Sequence, residues 1–165
     1  VFRAFAFFRD IFDKEAAKNT DVTAKHAYVD ATALWMVTKP WDFDVLVTEN
    51  MFGDILSDLG AGLMGGLGLA PSADIGKHNA VFQPCHGSAP DIAGQNIANP
   101  FAMILSAAMM LEWLGLKADN QQMIKDAQRL RDAVDTVVVD GKNTTRDLGG
   151  SSNTTQAGEA VMEQL

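Results

Sequence analysis

Asn50-Met51-Phe52-Gly53-Asp54-Ile55-Leu56-Ser57-Asp58 follows the apolar run Phe43-Asp44-Val45-Leu46-Val47-Thr48 and precedes a glycine-rich stretch from Gly60 to Gly68. If the stretch opens a helix, Asp54 and Asp58 stand one turn apart on the same face. Like charges at that spacing destabilise an isolated helix by about 0.2–0.5 kcal/mol. Leu59, Gly60, Ala61 and Gly62 follow, so no cation within the next turn neutralises the pair. Two readings fit. A divalent metal ion with oxygen ligands supplies the missing positive charge, or both acids are solvated in a first turn that the helix dipole favours.

The run from Phe43 to Thr48 reads as a buried strand leading directly to Asn50. Strand, turn and helix, with polar residues at the strand's C-terminal end, is where open α/β sheets place their sites. Gly60-Ala61-Gly62-Leu63-Met64-Gly65 spells G-x-G-x-x-G, but it follows or ends a helix instead of opening one. The dinucleotide fingerprint also needs an acid about 20 residues on, and position 85 is Cys. These glycines therefore read as close helix packing and a turn into Leu69-Ala70-Pro71.

The 165 residues suffice for one medium domain or two small lobes, and 47% hydrophobic with 21% charged residues is a globular balance. A net charge of −8 with no basic run excludes a nucleic-acid partner on electrostatic grounds. An anionic ligand needs local help from a metal, a few arginines or backbone amides. The one cysteine, Cys85, excludes an internal disulfide and fits a reducing, cytoplasmic setting. No stretch reaches the ~18 apolar residues of a membrane span.

Before the opening stretch, Phe2, Phe5, Phe8, Ile11 and Phe12 define an amphipathic helix over 1–18. Alternation over Val22 to Tyr28 suggests a strand with His26 on its surface. Asp30 starts a helix that Pro40 ends, and it reads as an N-cap or as something more.

After the glycines, Val81-Phe82 suggests a short strand, followed by the irregular loop Gln83-Pro84-Cys85-His86-Gly87-Ser88-Ala89-Pro90-Asp91-Ile92-Ala93-Gly94. Irregular loops of this length in compact domains are usually functional. Small Gly87, Ser88 and Ala89 permit close approach of a ligand, and Asp91 offers an acceptor for ribose hydroxyls, a composition suited to adenosine. Asn99-Pro100 is a helix start, with the stripe Phe101, Ile104, Leu105, Ala108 and Leu111 behind it and Gly115 as its stop. Ile124, Ala127, Leu130, Ala133, Val134 and Val137 mark the next helix. Thr144 to Asn153 is a polar loop, and a last helix runs to Leu165.

Asn50 to Asp58 with the glycines through Gly68 resembles the signature of the metal-dependent β-decarboxylating dehydrogenases, which include isocitrate, 3-isopropylmalate, tartrate and homoisocitrate dehydrogenases. His86 to Gly94 followed by Ile97-Ala98-Asn99-Pro100 is similar to that family's cofactor loop. Tyr28-Val29-Asp30-Ala31 and Asp147-Leu148-Gly149-Gly150 match as well, so the resemblance runs the length of the chain in order.

The resemblance implies an α/β fold, the C-terminal part of the isopropylmalate dehydrogenase-like fold with helices packed on a mixed sheet. Residues 1–70 would belong to the dimer-forming, metal-binding lobe and 71–165 to the cofactor lobe. The N-terminal half of the parent enzyme, with its substrate arginines, Tyr and catalytic Lys, would lie outside this chain. Alone, the chain is then expected to be inactive. The implied reaction is oxidation of a small 2-hydroxy acid by NAD, with Mg²⁺ or Mn²⁺ assisting loss of a β-carboxylate. Asp54 and Asp58 would be metal ligands. Asp30 would be the acid that the other subunit of a homodimer contributes to a shared active site, near metal and lysine.

His86, Gly87, Ser88, Ala89, Asp91, Ile92 and Asn99 would bind the dinucleotide. NADP-using relatives tend to carry Lys-Tyr where this chain has Asp91-Ile92, so NAD is implied. Gln83 replaces a usual Glu, a departure that leaves the particular hydroxy acid open. The alternative reading is a stand-alone nucleotide- or metal-binding module, or a dimerisation module, without catalysis.

Overall fold

The computed structural model describes residues 2–165, which form six helices and one small sheet. The chain divides into two compact units, residues 1–45 and 46–165. This division reflects packing within the chain and is of a different kind from the lobes expected to meet at 70.

The first unit holds helices α1 (Arg3–Ala16) and α2 (Val29–Thr38). The phenylalanine spacing produces α1 as expected, yet no residue of it is buried. The segment 22–28 forms no strand. His26 instead packs against Phe12 in a tilted contact, ring centroids 5.2 Å apart, and pairs with Asp13 through Nε2 at 2.7 Å. Tyr28 takes the N-cap position of α2, which places Asp30 in the first helical turn, not at the cap.

The second unit opens on 46–49 and helix α3 (Asn50–Leu63). The strand expected over Phe43 to Thr48 is absent, and Val45 and Val47 lie exposed. Both missing strands fail for one physical reason. Alternation prepares a segment for a sheet, but its N–H and C=O groups need a neighbouring strand, and among the described residues neither segment has one.

The strands that do form are β1 (Pro71–Ile75) and β2 (Ala80–Pro84), an antiparallel hairpin in register from Pro71 opposite Pro84 to Ile75 opposite Ala80. Sequence reading recognises β2 and misses β1, whose Pro, Ser, Ala and Asp have little strand preference. Pro71 occupies the first strand residue, where a missing N–H is tolerated.

Helix α4 (Phe101–Lys117) packs on this hairpin and against α5 (Gln121–Asp140), and α6 (Thr154–Met162) lies on α5. Gly115 does not stop α4. A Cβ there would lie 2.8 Å from Cγ1 of Ile124, so glycine permits the α4–α5 approach. The core gathers Leu69, Phe101, Ala133, Val134, Val137, Ala157, Ala160 and Val161. Asn120 caps α5, and Asn153 with Gln156 forms a reciprocal capping box on α6.

Candidate functional site

The chain between β2 and α4 bounds a groove of about 840 Å³. Its lining runs through His86–Ala89, Ile92–Gly94 and Asn96–Asn99, joined by Leu67, Gly68, Asp147 and Thr154. The loop leaves the hairpin at Cys85, whose N–H and Sγ both bond the carbonyl of Ala70, at 3.2 and 3.0 Å. It returns along the N-terminus of α6. There Thr154 donates through N to Asn96 O and through Oγ1 to Ala98 O, at 3.0 and 2.5 Å, and Thr155 Oγ1 donates to Asn96 Oδ1 at 3.1 Å. The wall is thus tied down at both ends while its inner face stays open.

Within the wall, Ala89 adopts φ 42°, ψ 63°. A left-handed alanine in the middle of a loop stores about 1–2 kcal/mol of strain, and such residues cluster at ligand clamps and active sites. The single turn Pro90–Ile92 follows it. His86 is half-buried, with Nδ1 3.0 Å from the carbonyl of Gly87.

Of the residues expected to hold a dinucleotide, His86, Gly87, Ser88, Ala89, Ile92 and Asn99 line this one groove. Asp91 is exposed between Ala89 and Ile92 and lies outside the lining, at the rim. Sequence reading misses Gly68, Asn96, Asp147 and Thr154. Asp147 and Gly68 do stand in stretches that carry the family resemblance, but no role in the groove is read for either; nothing local in the sequence marks Thr154.

Asp54 and Asp58 are a separate constellation. Glu49 is the N-cap of α3 and accepts from the N–H groups of Met51 and Phe52, both at 2.9 Å. Neither Asp54 nor Asp58 therefore lies in the first turn, which removes the helix dipole as the reason for the pair. Both side chains are exposed on one face, and among the described residues no hydrogen bond or ion pair engages either carboxylate. The donor chemistry, two unpaired carboxylates one turn apart, suits a hard divalent cation as part of a larger ligand set. Among the described residues no three acids, histidines or cysteines assemble into a complete metal-holding group. Asp30 lies on α2, exposed, with Oδ1 accepting from the N–H of Ala31 at 2.8 Å.

The profile of the family described as isocitrate/isopropylmalate dehydrogenase matches residues 1–161. A 3-isopropylmalate dehydrogenase of Methanothermobacter thermautotrophicus is 48% identical over 158 residues, which is 96% of this chain and 46% of that protein. An isocitrate/homoisocitrate dehydrogenase of Thermus thermophilus is 54% identical over 153 residues, 92% of this chain and 43% of that one. The crystal structure of isocitrate dehydrogenase from Methylococcus capsulatus superposes with a TM-score of 0.87 at 46% identity, covering 96% of this chain and 45% of the other. The chain spans about half the length of the curated relatives it matches. Its mixed architecture of six helices and a small sheet is that of the corresponding part of these dehydrogenase structures.

Proposed function

Because the chain belongs to the isocitrate/isopropylmalate dehydrogenase family, we propose that it is the C-terminal part of an NAD-dependent, Mg²⁺- or Mn²⁺-dependent dehydrogenase acting on a small 2-hydroxy acid. The observation that carries this reading is the groove, where six of the seven residues expected for dinucleotide recognition meet within one compact unit.

In this reading the groove takes the adenosine end of the dinucleotide. Gly87 carries no side chain, and a Cβ built on it meets nothing within 4 Å, which leaves room for a ligand against the backbone. Asp91 at the rim would bond a free 2′-hydroxyl and repel a 2′-phosphate, favouring NAD over NADP. Asp54 and Asp58 would supply two ligands to the metal, and Asp30 of a second copy would approach it as a third carboxylate.

When bound, the dinucleotide would accept hydride from the hydroxyl carbon and the metal would act as a Lewis acid in loss of the β-carboxylate. This chain's own contribution is to orient the cofactor and to present the carboxylate pair. The exposed apolar residues of α1 and α3, among them Phe7, Met51 and Ile55, support a homodimer. A cytoplasmic setting fits the single, unbridged Cys85 and the absence of any helix among the described residues that is long and apolar enough to cross a membrane.

Calorimetric titration tests the cofactor assignment. NAD should bind at least ten-fold more tightly than NADP; equal affinities, or a preference for NADP, would overturn the role given to Asp91. With NAD, Mn²⁺ and a panel of 2-hydroxy acids, the 165-residue chain should produce no NADH absorbance. Turnover by this chain would contradict the proposal that the remaining acid–base groups lie elsewhere in the parent enzyme.

A further inference from the structure

Asn99 lines the groove with both ends of its side-chain amide already committed. Oδ1 accepts from the N–H of Phe101 at 2.9 Å, which opens α4, and Nδ2 donates to Oδ2 of Asp147 at 2.9 Å. These partners settle the orientation of the amide, since the helix N–H requires an acceptor and the carboxylate requires a donor. The other oxygen of Asp147 is held as well. Oδ1 accepts from the hydroxyl of Thr145 at 2.5 Å, and Thr145 is fully buried.

The contact leaves no slack on its remaining side. A Cβ on Gly68 would lie 2.7 Å from Oδ2 of Asp147 and 2.8 Å from both Cβ and Nδ2 of Asn99. Gly68, Asn99 and Asp147 come from three segments far apart in sequence and all three line the groove.

We propose that Asp147 is a positioning residue of the nucleotide groove, acting through Asn99: anchored by Thr145, its carboxylate fixes the Asn99 amide and with it that part of the groove lining. The proposal rests on the nucleotide reading of the groove and adds a residue to it. The clamp has a built-in chemical signature. An asparagine at position 147 keeps one acceptor for Asn99 and can donate to the Thr145 hydroxyl, which rotates to receive it. An alanine can do neither. The close approach at Gly68 predicts that even one added methyl group displaces Asn99.

The test compares the chain with Asp147→Ala, Asp147→Asn and Gly68→Ala, each checked for unchanged circular dichroism. One readout is AMP affinity by calorimetry, and the other is the pair of Asn99 side-chain amide protons by NMR. The expected result is an AMP dissociation constant raised at least ten-fold by Asp147→Ala and by Gly68→Ala, but less than three-fold by Asp147→Asn. The Asn99 amide protons should exchange slowly in the parent chain and in Asp147→Asn, and rapidly in Asp147→Ala. A general loss of structure would not be restored by the asparagine.

Unchanged AMP affinity in Asp147→Ala, or loss of affinity to the same degree in Asp147→Asn, overturns the positioning role. If the parent chain binds no AMP, the nucleotide reading fails instead. The amide exchange then still decides the clamp, and equal exchange in all variants overturns it.

Discussion

In the second unit Phe101, Val134 and Val161 are each less than 2% exposed, closed in by α4, α5 and α6 of the same chain. Among the described residues of the first unit only Thr32 is buried, while Phe2, Tyr28 and Trp41 keep 77% or more of their surface. Both stretches are rich in apolar residues, so composition does not separate them. The difference is whether the chain supplies the second layer. A helical stripe stabilises a fold only against a partner surface, and in the second unit that partner is present. The groove between β2 and α4 belongs to this self-sufficient unit. The carboxylate pair stands on α3, whose neighbouring Met51 and Ile55 are exposed, in keeping with a site completed by other surfaces.

The contrast can be broken most forcefully by equal truncations in the two units. Phe101→Ala should lower unfolding stability by about 3–5 kcal/mol, read from urea denaturation, while Phe7→Ala should change it by no more than about 0.5 kcal/mol. A large effect at Phe7 would mean that α1 has a covered face in solution. Gly115→Ala comes next: its Cβ meets Ile124 across the α4–α5 contact, and overpacking of that kind costs about 1–3 kcal/mol. A stabilised Gly115→Ala chain would show the helix pair to be looser than described.

Asn153→Ala, which removes the capping box of α6, should cost about 0.5–2 kcal/mol. The smallest effect is expected at α3, where Asp54→Asn relieves the like-charge pair. It should raise stability by about 0.2–0.5 kcal/mol at low ionic strength, with the gain vanishing in high salt. Destabilisation by Asp54→Asn would reveal a structural partner for that carboxylate. In the parent enzyme the same substitution should abolish metal-dependent activity.

What was legible in the sequence follows from the range of the interactions involved. All six helices, α1 to α6, could be read because helical spacing and start signals such as Asn99-Pro100 are local. The two false strands, 22–28 and 43–48, arose because alternation states a preference for a sheet and says nothing of whether a neighbour exists. Strand β1 was missed because β2 makes it a strand, not its own residues.

The loop from His86 to Asn99 was recognisable by composition and by resemblance, and its residues meet in one groove. Asp147 and Gly68 stand in motifs that the resemblance covers, but their meeting at Asn99 spans long sequence separations, and no local pattern states that contact.

The central claim is that the groove between β2 and α4 receives the adenosine end of NAD. Its most direct test is a backbone amide NMR titration of the chain with NAD. Saturable shifts should map to Leu67, Gly68 and the loop from His86 to Asn99, leaving the amides of α1 in place. A titration that shifts α1 or the 135–140 surface of α5, or that leaves the loop unmoved at saturation, would contradict it.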